Sequence, residues 1–199
     1  MVKNCKAIGG ADGYGTASIS NGTDTIENFF NMNAADNIIP GAGNVWGNNI
    51  VTWQSGNGAV VQFSWTVTKG CNVILNNIDV IHPNGYILGM RHGTSSDLHD
   101  YTINNMWVEG NAAPLVDMRI QGNPYTNPPN QTALGSFRAA HFNNITVTGT
   151  TSGNILDGGS AGISDINFLN LKVNGSYIAS ASQMNLQLFQ GRTTVNQLK

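Results

Sequence analysis

The stretch "NNITVTG" (143–149) looks like one ordinary β-strand, but close copies of it recur along the chain. Upstream stand "NNIVTW" (48–53), "NNIDVI" (76–81) and "NNMWVEG" (104–110), and downstream stands "LNLKVNG" (169–175). Each is an Asn followed by an apolar, any, apolar alternation, and weaker copies occur at "KNCKAIG" (3–9) and "ENFFNMN" (27–33). With Asn4, Asn28, Asn49, Asn77, Asn105, Asn144 and Asn170 as equivalent points, the intervals are 24, 21, 28, 28, 39 and 26 residues. A period in the twenties marks a repeat architecture.

Period-two alternation in runs of four to six residues, ended by Gly or Asn, signals short half-buried strands. No segment carries a sustained helical stripe. Short strands returning every two dozen residues predict an all-β chain folded as a right-handed parallel β-helix of about seven coils, each stacked on the one before. Residues such as Ile78, Val80, Ile145 and Val147 then point inward onto their counterparts one coil away. The Asn before them sits at a turn, where it tolerates a left-handed backbone and can hydrogen-bond the neighbouring coil. A β-sandwich fits less well, because its strands come at about 8–12-residue spacing with hairpin turns.

The longest interval, between Asn105 and Asn144, contains "QGNPYTNPPNQTALG" (121–135), too rich in Pro, Asn and Gly for a strand. It is expected as a loop off the side of the stack, either an indifferent surface loop or the wall of a groove with Tyr125 facing a sugar.

Composition narrows the partners. The chain has 199 residues, of which 40% are hydrophobic and only 10% charged, with a net charge of −2. That length supports one domain with one sizeable core. Without a Lys/Arg cluster there is no electrostatic footprint for nucleic acid or an anionic membrane. No apolar run reaches the roughly 18 residues of a membrane span, and "MVKNCKAIGG" has no signal-peptide core before it. Asn-x-Ser/Thr sites at Asn21, Asn130, Asn144 and Asn174 matter only in a glycosylating compartment. Cys5 and Cys71 belong to repeats about 14 Å apart at ~4.8 Å per coil, too far for a disulfide, and are expected as small buried hydrophobes.

A β-helix hosts many activities, so function must be sought in carboxylates. Glycoside hydrolysis needs two carboxyl groups, one protonating the leaving oxygen and the other activating water or attacking carbon. The candidates are Asp12 in "GGADGYGTASISNG" (9–22) and Asp36 in "NMNAADNIIPG" (31–41), one repeat apart. "MRHGTSSDLHD" (90–100) gathers Arg91, His92, Asp97 and His99, but their spacing matches no tight ligand motif, so neither a metal nor a cofactor is expected.

The run "DTIENFFNMNAADNIIPGAGNVWGNNIVTWQSGNGAVVQFSWT" (24–66), followed by "NVILNNIDVIHPNGYI" (72–87), resembles the β-helix domain of the dextranase and isopullulanase family of glycoside hydrolases. The phrases "IVTW", "GAVVQFSW" and "DVIH" carry the resemblance in the family's order, and "NNMWVEGNAAPLVDMRIQ" (104–121) and "DINFLNLKVNG" (165–175) are similar to its later coils. The polygalacturonase family is more distant: its Gly-His-Gly and Arg-x-Lys signatures are missing, with "RHG" (91–93) only an echo.

The resemblance implies a secreted, inverting, polysaccharide-degrading hydrolase of α-glucans such as dextran, with three Asp clustered in a groove. It also implies that residues 1–199 are a single β-helix domain cut from a longer protein with an N-terminal β-sandwich, whose open end coils would favour end-to-end self-association. Carried over residue by residue, the family's Asp pair falls on Ala35 and Asp36 and its single Asp on Ala17, beside Thr16, so two expected carboxylates are Ala. Either these alanines replace Asp, by deliberate change or natural loss, or Asp12 supplies the second carboxyl group. His82 in "VIHPNG" holds the family's His position, and Trp53, His82, Arg91 and Tyr125 are the expected sugar contacts, whereas Trp65 is expected to pack. The alternative is a non-catalytic β-helix, either carbohydrate-binding or self-stacking.

Overall fold

Most of the repeated phrases place Ile, Val, Leu or Met at alternate positions, a pattern that suits a pleated surface buried on one side. The computed structural model describes residues 1–15, 23–41, 44–68, 70–110, 114–126, 128–189 and 194–198. Among them the chain is all-β, with seventeen strands and no helix. In order these are β1 (Val2–Ile8), β2 (Tyr14–Gly15), β3 (Asp24–Asn33), β4 (Ile38–Ile39), β5 (Val45–Gln54), β6 (Ala59–Gln62), β7 (Cys71–Ile81), β8 (Tyr86–His92) and β9 (Leu98–Val108). There follow β10 (Val116–Ile120), β11 (Phe137–Val147), β12 (Asn154–Asp157), β13 (Ile163–Leu169), β14 (Lys172–Val173), β15 (Ser176–Tyr177), β16 (Leu186–Phe189) and β17 (Val195–Leu198).

The long strands lie side by side as β1-β3-β5-β7-β9-β11-β13-β17, and the short ones as β2-β4-β6-β8-β10-β12-β16. The pairing within these two series is parallel, and only the β14–β15 pair at the side of the first sheet is antiparallel. Through most of the chain, neighbours in one sheet are joined through a strand of the other. The long-strand register sets Val2 against Ile26, Asp24 against Val45, Val45 against Val73, Val73 against Tyr101, Leu98 against Phe137 and Ala140 against Ile166. These steps are the Asn intervals read from the sequence.

The core fills the space between the sheets. On the long-strand side Ile50, Ile78, Met106 and Ile145 pair in succession, none more than 1% exposed. From the short strands Ile38, Val61, Leu88 and Val116 form a matching buried row. Each such side chain contributes roughly 1.5–3 kcal/mol by leaving water. Phe63, Tyr101, Phe137, Phe142 and Phe168 form an aromatic stack in the same interior, with centroids 5.0–6.0 Å apart.

The seven repeat asparagines all have φ between 51° and 61°. Six of them sit inside strands and Asn170 directly follows β13, and the inward–outward alternation slips by one residue at the Asn, so that in β3 and β5 the exposed Asn28 and Asn49 separate two inward-facing sets. The expected strands of four to six residues are therefore halves of strands of ten or eleven, bent at the Asn. Asn tolerates this conformation because its short side chain bonds locally. Here it bonds its neighbours: Asn28 Nδ2 donates to Asn4 Oδ1 at 2.8 Å, Asn49 to Asn28 at 2.8 Å, Asn105 to Asn77 at 3.0 Å, Asn144 to Asn105 at 3.0 Å and Asn170 to Asn144 at 2.9 Å. Asn77 donates instead to Asn48 Oδ1 at 2.8 Å.

A second left-handed column went unread in the sequence. Asn44, Asn72, Asp100, Ala139 and Asp165 share φ of 49–61° and follow one another at the same register steps. Its members change residue type, so no phrase repeats.

Cys5 corrects an expectation. It pairs with Phe29 and so belongs to an inward row, but it is exposed, because β1 has a neighbouring strand on one side only among the described residues.

Two stability changes follow from the columns. Ala139→Asn should raise stability by about 1 kcal/mol in denaturant unfolding, because an L-residue other than Asn or Asp pays roughly 1–2 kcal/mol in this conformation; an unchanged or lower midpoint would show that Ala139 is unstrained. Asn105→Ala should cost about 1–2 kcal/mol, and Asn105→Gly less, since Gly loses the ladder bonds but not the backbone freedom. Equal losses for Ala and Gly would leave the ladder alone responsible.

Candidate functional site

The corners that lead from long strands to short ones are themselves stacked in register. Gly9 N donates to Met32 O at 2.9 Å, Ala35 N to Ala11 O at 2.6 Å and Gly13 N to Asp36 O at 2.7 Å. Asn37 N donates to Ala59 O at 2.9 Å and Tyr86 N to Gly58 O at 3.0 Å, continuing the stack. Because Tyr14 pairs with Ile38, the same step carries Asp12 onto Asp36. The two backbones are thus about one strand spacing, ~4.8 Å, apart.

The two acids differ in setting. Asp12 is exposed, whereas Asp36 is buried, its Oδ1 accepting from Ala59 N at 2.7 Å and its Oδ2 from Trp65 Nε1 at 3.2 Å. Burial pushes the Asp36 carboxyl above its ordinary pKa; the Ala59 and Trp65 donors pull it back, Asp12 adds to the rise and Arg91 opposes it. Asp36 therefore holds its proton to a higher pH than a surface carboxylic acid.

Asp12, Ala35 and Asp36 line one cleft of about 650 Å³ whose aromatic members are Trp65, Tyr86 and Tyr125. Tyr125 arrives on the long loop, which turns back over the short-strand face. Asn123 anchors it from a buried position, donating through Nδ2 to Trp65 O at 3.0 Å and Arg91 O at 3.2 Å. Tyr125 itself is 72% exposed and meets Trp65 edge to face at 5.6 Å. The loop thus lines the cleft through Tyr125. Tyr86 is positioned by Gly89, where a Cβ would lie 2.3 Å from the Tyr86 ring, and by the Arg91 guanidinium 5.2 Å from its centroid.

Several expected site residues lie elsewhere. Trp53 and His82 do not share the Asp36 cleft: their rings pair at 5.2 Å in a separate hollow with Glu109. The reason is the alternation in β5, which turns Gln54 inward and Trp53 outward from the long-strand sheet. Arg91 is on the cleft side but bound up with protein: Nη1 donates to Met90 O and Asp117 O at 2.8 and 2.9 Å, and Nη2 to Asp117 Oδ2 at 2.7 Å. Asp117 is shared with Arg119, so the three charges form a bracket across β8 and β10. Ala17, Thr16 and Asn21 lie outside the described residues. His92 and His99 diverge, His99 pairing with Asp100 while His92 is buried against Ser64 Oγ at 2.9 Å and Ser96 O at 2.8 Å.

Residues missed in the sequence hold the corners from inside. Gln54 is buried, its Nε2 donating to Ala35 O and Asn57 O at 3.4 Å and its Oε1 accepting from Gly85 N at 2.6 Å, so one amide ties three successive corners. Asn31 Nδ2 donates to Asn37 O at 2.6 Å, directly behind Asp36. The buried side-chain atoms of Asn33, Asn37 and Thr52 have no protein partner. Only the inward phase of these positions distinguishes them from the exposed asparagines.

Gly58 tests the packing of the corner. Its φ is +99°, and a Cβ would lie 2.7 Å from Asp36 Oδ1 and 2.8 Å from the Ala35 carbonyl carbon. Gly58→Ala should lower stability by about 2–3 kcal/mol in thermal or denaturant unfolding; a variant that unfolds like the parent would contradict this geometry. His92 predicts a pH effect. Burial holds its folded pKa below the ordinary value, with Ser96 and Asp97 pulling the other way, so the unfolded chain takes up the proton first. Stability should therefore fall as pH drops below about 6.5. The melting temperature followed from pH 7.5 to 5 should show this slope in the parent and a shallower one in His92→Gln; parallel curves would rule out His92 as the cause.

In comparisons with known proteins, no family model matches the chain and no curated protein matches it.

Proposed function

We propose that this chain is a polysaccharide-binding glycoside hydrolase domain, built as a right-handed parallel β-helix of about seven coils and acting on a neutral α-glucan such as dextran. The observation that carries the reading is the meeting of Asp12 and Asp36, from register-equivalent corners, in one cleft with Trp65, Tyr86 and Tyr125. The alternation of strands between two parallel sheets supports the β-helix, since parallel crossovers are right-handed in about 98% of cases. Seven short strands in the second sheet support the coil number.

Aromatic faces beside hydroxyl- and amide-bearing neighbours suit pyranose rings, which are apolar on their faces and polar at their rims. Asp36, whose carboxyl burial pushes above its ordinary pKa, serves as the general acid that donates to the leaving glycosidic oxygen. Asp12, exposed at the next corner, serves as the base that takes a proton from the attacking water, an arrangement that needs the carboxyl groups about 6.5–9.5 Å apart. Ala35, beside Asp36 in the cleft, takes the place of a carboxylate in the family pattern. Binding is thereby kept and hydrolysis weakened.

The test is reducing-sugar release from dextran by the parent, Asp36→Asn, Ala35→Asp and the Ala17→Asp, Ala35→Asp double variant. Restoring a carboxylate should raise release at least about a hundredfold, Asp36→Asn should abolish it, and activity should decline as pH rises through the raised pKa of Asp36. If no variant releases sugar, catalysis is not a property of this cleft.

A further inference from the structure

Three of the chain's four tryptophans avoid both the core and the Asp36 cleft. Trp46 and Trp53 on β5 and Trp107 on β9 occupy the outward phase of the long-strand sheet, between buried neighbours such as Thr52 and Gln54 or Met106 and Val108. Trp53, flanked by His82, sits in a hollow of about 710 Å³ with Ile81, Pro83 and Glu109. Trp107, 48% exposed, borders a second hollow shared with Asp79 and the ladder residues Asn77, Asn105 and Asn144. Aromatic residues of this size are normally the best core material, so their collection on one outer face marks a binding surface.

Amides run between the tryptophans. Beside the ladder of left-handed asparagines, a second row has Asn104 Nδ2 donating to Asn76 Oδ1 and Asn143 Nδ2 to Asn104 Oδ1, each at 2.9 Å. An Asn amide has two N–H donors and two acceptor lone pairs, and a ladder uses one of each. The face therefore offers ring planes alternating with paired donors and acceptors at the strand spacing. Within the two hollows the only formal charges among the lining residues are Glu109 and Asp79. This is the chemistry of a neutral, hydroxyl-rich polymer lying flat, with the apolar faces of its rings on the tryptophans and its hydroxyls on the amide rows. A peptide would need pockets for side chains or an unpaired strand edge, and the middle of a fully paired sheet offers no such edge.

We infer that the outer face of the long-strand sheet is a second polysaccharide-binding surface, centred on Trp53 and Trp107 and separate from the Asp36 cleft. The inference rests on the proposed polysaccharide ligand of that cleft, and it gives the domain two attachments to one polymer.

The experiment is affinity electrophoresis in gels containing dextran, pullulan or soluble starch, with the parent, a Trp53→Ala, Trp107→Ala face variant and a Tyr125→Ala cleft variant. All three side chains are partly or well exposed, and far-ultraviolet circular dichroism checks that each variant remains folded. The face variant is expected to lose about tenfold in affinity for at least one polymer, and the cleft variant to keep a measurable retardation that disappears when the substitutions are combined. If the face variant migrates as the parent does while the cleft variant loses all retardation, the second surface is refuted and the cleft stands. The reverse pattern upholds the outer face and refutes sugar binding at the cleft. A parent that no polymer retards overturns both. Dimers of the parent in sedimentation without polymer, dissociated by Trp107→Ala, would assign the face to a second copy instead and overturn the inference.

Discussion

Every other feature of this molecule depends on a residue that turns left in the middle of a strand. A strand with strict alternation runs straight, and ten or eleven residues of it would carry the chain past the core it has to cover. One residue at positive φ bends it and shifts the alternation by one, so both halves present apolar side chains to the same interior. Asn takes that conformation at low cost, and its amide bonds the equivalent amide one strand away. The local need of each strand and the contact between strands are met by the same side chain, which is why that side chain recurs.

Stacking in register then places the chemistry. A corner that repeats at a fixed step brings whatever it carries into line with the corners on either side, so Asp12 and Asp36 meet although 23 residues separate them in the chain. The interior amides of Asn31 and Gln54 hold those corners by their carbonyls. The amides of Asn33 and Asn37 are buried behind them, so the interior is polar at this corner, in contrast to the aromatic stack around Phe63 and Phe142. The bracket of Arg91, Asp117 and Arg119 fixes the neighbouring strands and keeps Tyr86 facing the cleft.

The register is legible in the sequence, because Asn is the commonest residue other than Gly to accept the bend and its spacing can be counted. The second column was hidden for the opposite reason: Asn44, Asp100 and Ala139 share a backbone shape but no side chain. In the cleft, Asp12, Asp36 and Tyr125 were readable as carboxylates near corners and an aromatic residue on a Pro-rich loop. Trp53 and His82, expected as sugar contacts, lie apart from Asp36, because a residue's side of the sheet depends on where the alternation slips, and a count of apolar positions alone does not mark the slip. Tyr86 and Gly89 carried no signal, since their contact depends on a ring lying across a bare backbone.

The loop that carries Tyr125 enters through one corner and returns the chain to the same register, lengthening one step to 39 residues while the strands on either side pair as their neighbours do. Loop length costs little free energy once the ends are fixed, growing only with its logarithm. The stack therefore behaves as a frame with exchangeable walls. A different insertion at that corner would change what the cleft admits without altering a core residue, so specificity and stability can vary independently along this chain.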